Sequence, residues 1–161
     1  MSKIKELIRD KNTILVFDID GVLAILEFGE YNHYGLLTDE EWNEACKTNN
    51  FYTEDKVSKK MQKFIKERDK CKVYVISKVN NRHEVEHKKE YASKYYGIPI
   101  ENIYLVERNY SKIDALNEIK KKNKGIKDYQ IVMIDDTDSV LTEVEKNTKY
   151  STAHISTFLD L

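Results

Sequence analysis

The sequence has few of the residues that mark cross-linked or linker-rich chains. It contains two cysteines, one proline and five glycines among 161 residues. Cys46 and Cys71 are far apart and form no C-x-x-C pair, which excludes a disulfide scaffold and a cysteine-based zinc module. We expect both to be buried thiols in a reducing compartment. No stretch is rich in Pro, Gly or Ser, so the sequence offers no linker or low-complexity tract.

An excess of one charge and a long apolar run are also missing. The 27 Lys and Arg against 28 Asp and Glu give a net charge of −1, so overall charge indicates neither a nucleic-acid nor a membrane partner. No apolar run approaches the roughly 20 residues of a membrane span. The N-terminus MSKIKELIRDKN is too charged for a signal peptide. These absences predict a cytoplasmic protein, and the length fits one domain over residues 1–161.

Helix-like and strand-like segments alternate along most of the chain. Helical patterns cover residues 2–11, 55–69, 82–96, 112–123 and 138–147. Short strand-like runs cover residues 13–17, 72–76, 103–106, 131–134 and 151–155. The central runs are continuously apolar, which is typical of parallel strands covered by helices on both faces. The sequence therefore predicts an α/β/α three-layer sandwich around a Rossmann-like parallel sheet of about five strands, with the site at the carboxyl ends of the strands.

One segment, residues 24–53, interrupts this alternation. Thr38 and Glu41 form a capping-box pattern, which predicts a short helix starting there. The residues before it, 26–37, predict a hairpin or flap that follows the first strand and is placed to lie over the site. Three flap side chains are candidates either for substrate specificity or for packing the flap down, namely Tyr31, His33 and Tyr34.

Polar residues follow four of the predicted strands. They are Asp18 and Asp20 in DIDGV, Ser77, the pair Ser111-Lys112, and the pair Asp135-Asp136. Carboxylates that converge on one sheet edge repel each other unless a hard cation lies among them, and Mg²⁺ prefers such oxygen ligands. A hydroxyl and a lysine beside that cation can hold the oxygens of a phosphate. The glycine after the second acid allows a tight turn, so the backbone amides of Ile19 and Gly21 can face an anion.

The two acids of DIDGV suit two chemical roles. A carboxylate beside Mg²⁺ and a held phosphoryl group can act as a nucleophile and form an aspartyl-phosphate. A second acid two residues later can protonate the leaving group and then deprotonate water. The sequence therefore favours phosphoryl chemistry on Asp18 with acid/base help from Asp20.

This pattern resembles the haloacid dehalogenase-like (HAD) superfamily of phosphohydrolases, over about residues 13–155. That family has a DxD motif after strand one, a Ser or Thr after strand two, a Lys at a helix start and an acidic pair after strand four. The resemblance implies Asp18 as nucleophile and Asp20 as general acid/base. It implies a Mg²⁺ site formed by the Asp18 carboxylate, the Asp20 backbone carbonyl and Asp135, supported by Asp136.

The same resemblance implies the remaining features of the site. Ser77 and Lys112 would hold the phosphate, together with Lys78, and the strand order would be 5-4-1-2-3. Without a large cap the site would be open, which suits a macromolecular phosphoester or a partner subunit acting as lid. A small metabolite or a nucleotide fits if the insert closes over the site. Specificity is expected in the flap and in residues 78–81, including Asn80 and Asn81.

Two alternatives stay open at this point. One is a non-catalytic phosphate-binding or scaffold protein of the same fold, although no acid of the motifs is missing. The other is a zinc peptidase, because His83-Glu84-Val85-Glu86-His87 matches H-E-x-x-H. Its surroundings, NNRHEVEHKKEY, are almost wholly charged, so we expect two solvated histidines there. The lysine run at 120–124 is expected to be a solvated helix end, with a nucleic-acid groove as the alternative.

Overall fold

The computed structural model of the chain describes residues 2–25 and 37–161. Within these residues the helices are α1 (Lys3–Arg9), α2 (Asp39–Thr48), α3 (Lys59–Lys66), α4 (Arg82–Tyr96), α5 (Ile113–Lys122) and α6 (Asp138–Asn147). The strands are β1 (Ile14–Phe17), β2 (Val73–Val79), β3 (Ile103–Glu107), β4 (Ile131–Asp135) and β5 (Ser151–His154). Short 3₁₀ turns occupy Glu54–Lys56, Lys70–Lys72, Ile100–Asn102, Asp128–Gln130 and Ile155–Asp160. None of the described helices combines the length and the apolar character needed to cross a bilayer.

The five strands form one parallel sheet in the order β3-β2-β1-β4-β5. Strand β1 lies at the centre, where Val16 pairs with Tyr74 of β2 and with Met133 of β4. Read from the opposite edge, this is the predicted order 5-4-1-2-3. The predicted α/β architecture with a five-stranded parallel sheet is therefore confirmed.

Each face of the sheet has its own apolar core. Successive side chains of a strand point to opposite faces, so a strand covered on both sides must be apolar throughout. Leu15 and Phe17 of β1 belong to a core shared with α1, α3 and α4. Ile14 and Val16 belong to a second core shared with α5 and α6. The four residues of β1 are completely buried, which explains the continuous apolar run in the sequence.

The predicted helix over residues 55–69 is wrong in its first turn. The segment Glu54–Lys56 forms a 3₁₀ turn, and α3 begins only after Ser58, whose side chain accepts a hydrogen bond from the Met61 amide. A side-chain cap of this kind starts a helix, so the apolar spacing upstream of it does not continue the helix.

The expectation that both cysteine thiols are buried is wrong for one of them. Cys46 is buried, whereas Cys71 is exposed in the turn that leads into β2.

The capping box at the start of α2 forms as the sequence predicts. The Glu41 amide donates to the Thr38 hydroxyl, and the Thr38 amide donates to the Glu41 carboxylate. Trp42 then packs its ring on Phe51 and donates from its indole nitrogen to Glu84 of α4, 3.1 Å away. The helical part of the insert is therefore fixed against α4. The flap side chains Tyr31, His33 and Tyr34 lie outside the described residues.

Candidate active site

Strands β1 and β4 end side by side at the carboxyl edge of the sheet. The Asp18 amide, directly after β1, donates to the Ile134 carbonyl at 2.9 Å. Strand β4 ends at Asp135, one residue later than the predicted end at residue 134, so Asp135 is the last residue of the strand. Parallel pairing of these two strands thus brings the acids of DIDGV next to the acidic pair.

Asp18, Asp135 and Asp136 form a compact carboxylate cluster. Their potential ligand oxygens all lie within 4.8 Å of one another. Burial raises the pKa of Asp135 above its ordinary value, the charge of Asp18 adds to that rise, and Lys112 opposes it. Burial and Asp18 likewise raise the pKa of Asp136. Three carboxylates crowded this closely offer the oxygen donors that a hard divalent cation such as Mg²⁺ prefers. Within residues 2–25 and 37–161, no other group of three acids, histidines or cysteines is so placed.

Lys112 lies between two of these acids. Its ammonium nitrogen is 3.1 Å from Asp18 Oδ1 and 2.7 Å from Asp135 Oδ2, and the residue is 2% exposed. Burial by itself lowers the pKa of Lys112, but the two carboxylates outweigh burial and raise it. The lysine directly precedes α5, as the sequence predicts, and it stays charged between the acids.

The turn formed by DIDG requires a glycine at its last position, Gly21. Its φ is +73°, and a Cβ placed there would lie 2.0 Å from Oδ2 of Asp136. Any side chain would therefore displace part of the acidic cluster. The Gly21 amide donates to the Ala24 carbonyl at 2.9 Å. The amide is therefore used inside the turn in this structure, and its contact with a phosphate stays a prediction. The Ile19 amide contact stays a prediction, while the Ile19 side chain is buried in the core.

Asp20 has its own set of partners, which differ from those of Asp18. Its Oδ2 is 2.7 Å from the ammonium nitrogen of Lys88, and its Oδ1 accepts from the Tyr52 hydroxyl at 2.9 Å. Both carboxylate oxygens are therefore held by protein side chains. Neither Lys88 nor Tyr52 was predicted as a site residue, because each is distant from Asp20 in sequence.

Lys88 is completely buried in α4. Besides Asp20, its ammonium contacts Glu84 Oε1 at 3.0 Å, the Ser77 hydroxyl at 3.2 Å and the Lys78 carbonyl. Burial alone lowers the pKa of Lys88, but Asp20 and Glu84 more than reverse this and raise it. A charged lysine thus lies directly behind the second acid of DIDG.

Ser77 and Lys78 belong to β2 rather than to the loop after it. Ser77 is fully buried and pairs with Leu105 of β3, and its hydroxyl contacts Lys88. The predicted strand end at residue 76 is therefore three residues short, because β2 continues to Val79. Lys78 is half-buried, and its backbone carbonyl is the atom that meets Lys88.

The two predicted specificity residues after β2 have structural partners. Asn81 caps α4 by accepting from the Glu84 amide at 2.9 Å and donates from its side chain to Asn43. The Asn80 amide donates to Glu84 Oε2 at 2.8 Å. These residues also border a cleft of about 510 Å³ at the carboxyl ends of β2 and β3. Its other lining residues include Asp39, Arg82, Glu107, Arg108 and Asn109.

The H-E-x-x-H segment does not assemble a metal site among the described residues. His83 and His87 are half-buried, and no third donor groups with them in that part of the chain. Glu84 is buried and bound to Lys88 and Trp42 instead. The two histidines expected to be solvated are therefore only partly exposed, and Glu84 and Lys88 of the same helix are buried.

The lysine run after α5 makes local contacts. Lys121 pairs with Glu118 at 2.7 Å, and Lys120 pairs with Asp128 at 3.3 Å. Lys122 lies over the ring of Tyr104. These contacts fit a solvated helix end better than a groove for a nucleic-acid backbone.

No protein-family model and no curated protein matches the sequence. Among solved structures, the chain is similar to DsGPDH of Dunaliella salina, with a TM-score of 0.58 and 15% identity over 94% of this chain and 25% of that one. The chain thus spans about a quarter of the length of DsGPDH. It is also similar to the HAD domain of the effector protein Lem4 from Legionella pneumophila, with a TM-score of 0.47 and 14% identity over 88% and 84% of the two chains. At such identities, the likeness to DsGPDH shows a shared fold.

Proposed function

We propose that this chain is a Mg²⁺-dependent phosphomonoester hydrolase of the HAD-like type that acts through an aspartyl-phosphate on Asp18. The observation that carries the proposal is the arrangement around Lys112. One buried ammonium contacts both Asp18 and Asp135, within a cluster of three carboxylates at the carboxyl edge of the sheet. That edge is where open parallel sheets bind their ligands.

The chain's own residues supply the steps of this chemistry. The Asp18 carboxylate attacks phosphorus, and the bond from phosphorus to the ester oxygen breaks. Asp20 gives its proton to the departing oxygen, then takes a proton from the water that attacks the aspartyl-phosphate. The second attack releases inorganic phosphate and restores the Asp18 carboxylate.

The basic and hydroxyl groups hold the substrate during these steps. An ammonium has three N–H donors. Lys112 donates one to Asp135 at 2.7 Å and forms an ion pair with Asp18 Oδ1 at 3.1 Å. Its remaining donor capacity would serve a phosphate oxygen. Asp18, Asp135 and Asp136 would hold Mg²⁺, with the Asp20 carbonyl as a further ligand. When bound, this ion neutralises charge on the transferred phosphoryl group.

The substrate is a phosphomonoester, and the cleft beside β2 and β3 is the proposed place for its leaving group. The cleft is lined by both acidic and basic residues, including Asp39, Glu107, Arg82 and Arg108. A small metabolite, a nucleotide and a macromolecular phosphoester all remain substrates of this proposal. The substrate class is therefore decided by a screen rather than by the shape of the cleft.

The test is hydrolysis of para-nitrophenyl phosphate with and without Mg²⁺ by wild type, Asp18→Asn and His83→Ala. We expect turnover that needs Mg²⁺, is lost by roughly 10³-fold or more in Asp18→Asn, and is unchanged in His83→Ala. Loss of a covalent nucleophile acts on this scale because no other group takes its place. Turnover that persists in Asp18→Asn contradicts the proposal. Absence of turnover in folded wild type, with Mg²⁺ and with a phosphomonoester panel, favours the phosphate-binding scaffold.

A further inference from the structure

We infer that Lys88 is a positioning residue for Asp20, and that it holds this acid by linking it to the buried Glu84 and to Ser77. The inference deepens the proposed function and rests on it, because it assigns a structural support to the general acid/base. Lys88 does not contact Asp18 directly in the described geometry. It acts through Asp20.

The first support for this inference is the orientation of the Asp20 carboxylate. Lys88 holds Oδ2 at 2.7 Å, and the Tyr52 hydroxyl holds Oδ1 at 2.9 Å. Two partners on two different oxygens fix the plane of a carboxylate, whereas one partner leaves it free to rotate. Tyr52 is itself buried and meets the ring of Tyr91 edge-on at 5.8 Å. Asp20 is therefore held by groups that are packed in the core.

The second support is the way Lys88 itself is held. Oε1 of Glu84 lies 3.0 Å from the ammonium nitrogen of Lys88. Its Oε2 accepts hydrogen bonds from the Trp42 indole at 3.1 Å and from the Asn80 amide at 2.8 Å. A continuous set of contacts thus runs from the helical insert through Glu84 and Lys88 to Asp20. Supporting contacts of this kind set the position of a reacting group to a fraction of an ångström.

The third support is energetic. A buried ion pair adds little stability over an apolar pair of similar size, because the charges lose their hydration. Stability alone therefore gives no reason to bury an ammonium between Asp20 and Glu84. The position of this ammonium, 2.7 Å from the second acid of DIDG and 3.2 Å from the Ser77 hydroxyl, ties it to the site instead.

A positioning role for Lys88 has a chemical signature that simple destabilisation lacks. The proton from Asp20 matters when the leaving oxygen is a poor leaving group, and matters little when that oxygen departs readily as an anion. Phenyl phosphate and para-nitrophenyl phosphate have nearly the same shape and differ mainly in this respect. The parameter kcat/KM covers the steps up to loss of the phenol, so it is independent of later hydrolysis of the aspartyl-phosphate.

The experiment compares kcat/KM for these two substrates in wild type, Lys88→Met and Lys88→Arg, with Lys121→Met as a control at an exposed lysine. We expect Lys88→Met to lower kcat/KM for phenyl phosphate at least about tenfold more than for para-nitrophenyl phosphate. We expect Lys88→Arg to restore part of the loss, since it keeps the charge. An Asp20→Asn variant removes the acid itself, so its selective loss of kcat/KM on phenyl phosphate is the upper limit for any variant of Lys88.

Two results overturn the inference. Equal losses on both substrates in Lys88→Met assign Lys88 a purely structural role, and unchanged kinetics assign it none. If Lys88→Met does not fold, Tyr52→Phe tests the same claim, because it removes the other partner of the Asp20 carboxylate without burying or removing a charge. A selective loss on phenyl phosphate then supports the inference, and an equal loss overturns it.

The outcome also separates this inference from the proposed function. If Asp18→Asn is inactive while Lys88→Met lowers kcat/KM equally for both substrates, only the proposed role of Lys88 fails. If Asp18→Asn keeps the activity, or wild type has none, the proposed function fails and the role of Lys88 fails with it.

Discussion

Two buried lysines contact the two acids of the DIDG turn, and they differ in what they hold. Lys112 contacts Asp18 and Asp135, whereas Lys88 contacts Asp20 and Glu84. Each acid of the DxD pair thus has its own ammonium, delivered by a different helix. The fold thus gives the proposed nucleophile and the proposed acid/base different ion-pair partners, although only one residue lies between them.

The charge balance of the two sides is also different. Around Lys112 there is one ammonium for three carboxylates, and burial raises the pKa of Asp135 and Asp136. Lys88 is in direct contact with two carboxylates, those of Asp20 and Glu84, and the charge of Asp18 also raises its pKa. The larger excess of carboxylates lies on the Lys112 side. The proposed divalent cation would therefore be held there by the carboxylates of Asp18, Asp135 and Asp136, while the Asp20 carboxylate stays with Lys88.

The largest expected effect that separates the two lysines is that of Lys112→Met. We expect kcat/KM to fall by roughly 10²-fold or more on both phenyl and para-nitrophenyl phosphate. Lys112 acts on the nucleophile and on phosphate, so its loss is independent of the leaving group. Steady-state kinetics with the same two substrates measure this, with Lys121→Met as the control. A loss restricted to phenyl phosphate would remove the distinction between the two lysines.

A separate effect, on stability rather than on turnover, is expected for Glu84→Gln. The substitution keeps the shape of the side chain but leaves Lys88 with less compensating charge in a buried place. We expect the free energy of unfolding to fall by about 3 kcal/mol, measured by urea denaturation. Glu86→Gln, on the exposed side of the same helix, is the matched control and should change stability by less than about 0.5 kcal/mol. Equal, small effects of the two variants would show that Glu84 does not support Lys88.

The sequence predicts the Lys112 side well because its residues follow directly from strand ends. Asp18, Lys112 and Asp135 are polar residues beside buried apolar runs, and parallel strands bring such residues to one edge. Both apolar cores follow from the same runs, whereas the strand order was implied by the resemblance of the motifs to a known family. Local signals were also sufficient for α2, since the Thr38 and Glu41 side chains that cap it lie within one turn.

The Lys88 side was missed for a physical reason. Its contacts join residues 68 positions apart for Lys88 and Asp20, and 32 for Tyr52 and Asp20. The many charged residues around position 84 predict, by composition alone, a helix face exposed to solvent. Helical spacing gives the better signal, because Glu84, Lys88 and Tyr91 repeat at intervals of four and three and lie on the buried face.

The proposed reaction transfers the phosphoryl group to the Asp18 carboxylate before water releases it. Trapping this aspartyl-phosphate tests the proposal most directly. The Asp20→Asn variant lacks the base that activates water, while para-nitrophenyl phosphate needs no acid to leave. After incubation with this substrate and Mg²⁺, the variant is quenched in acid and its peptides are analysed by mass spectrometry. The account predicts one phosphoryl group on the peptide that contains Asp18, and none in the Asp18→Asn, Asp20→Asn double variant. Turnover by wild type with no phosphoryl group on that peptide in Asp20→Asn would contradict it.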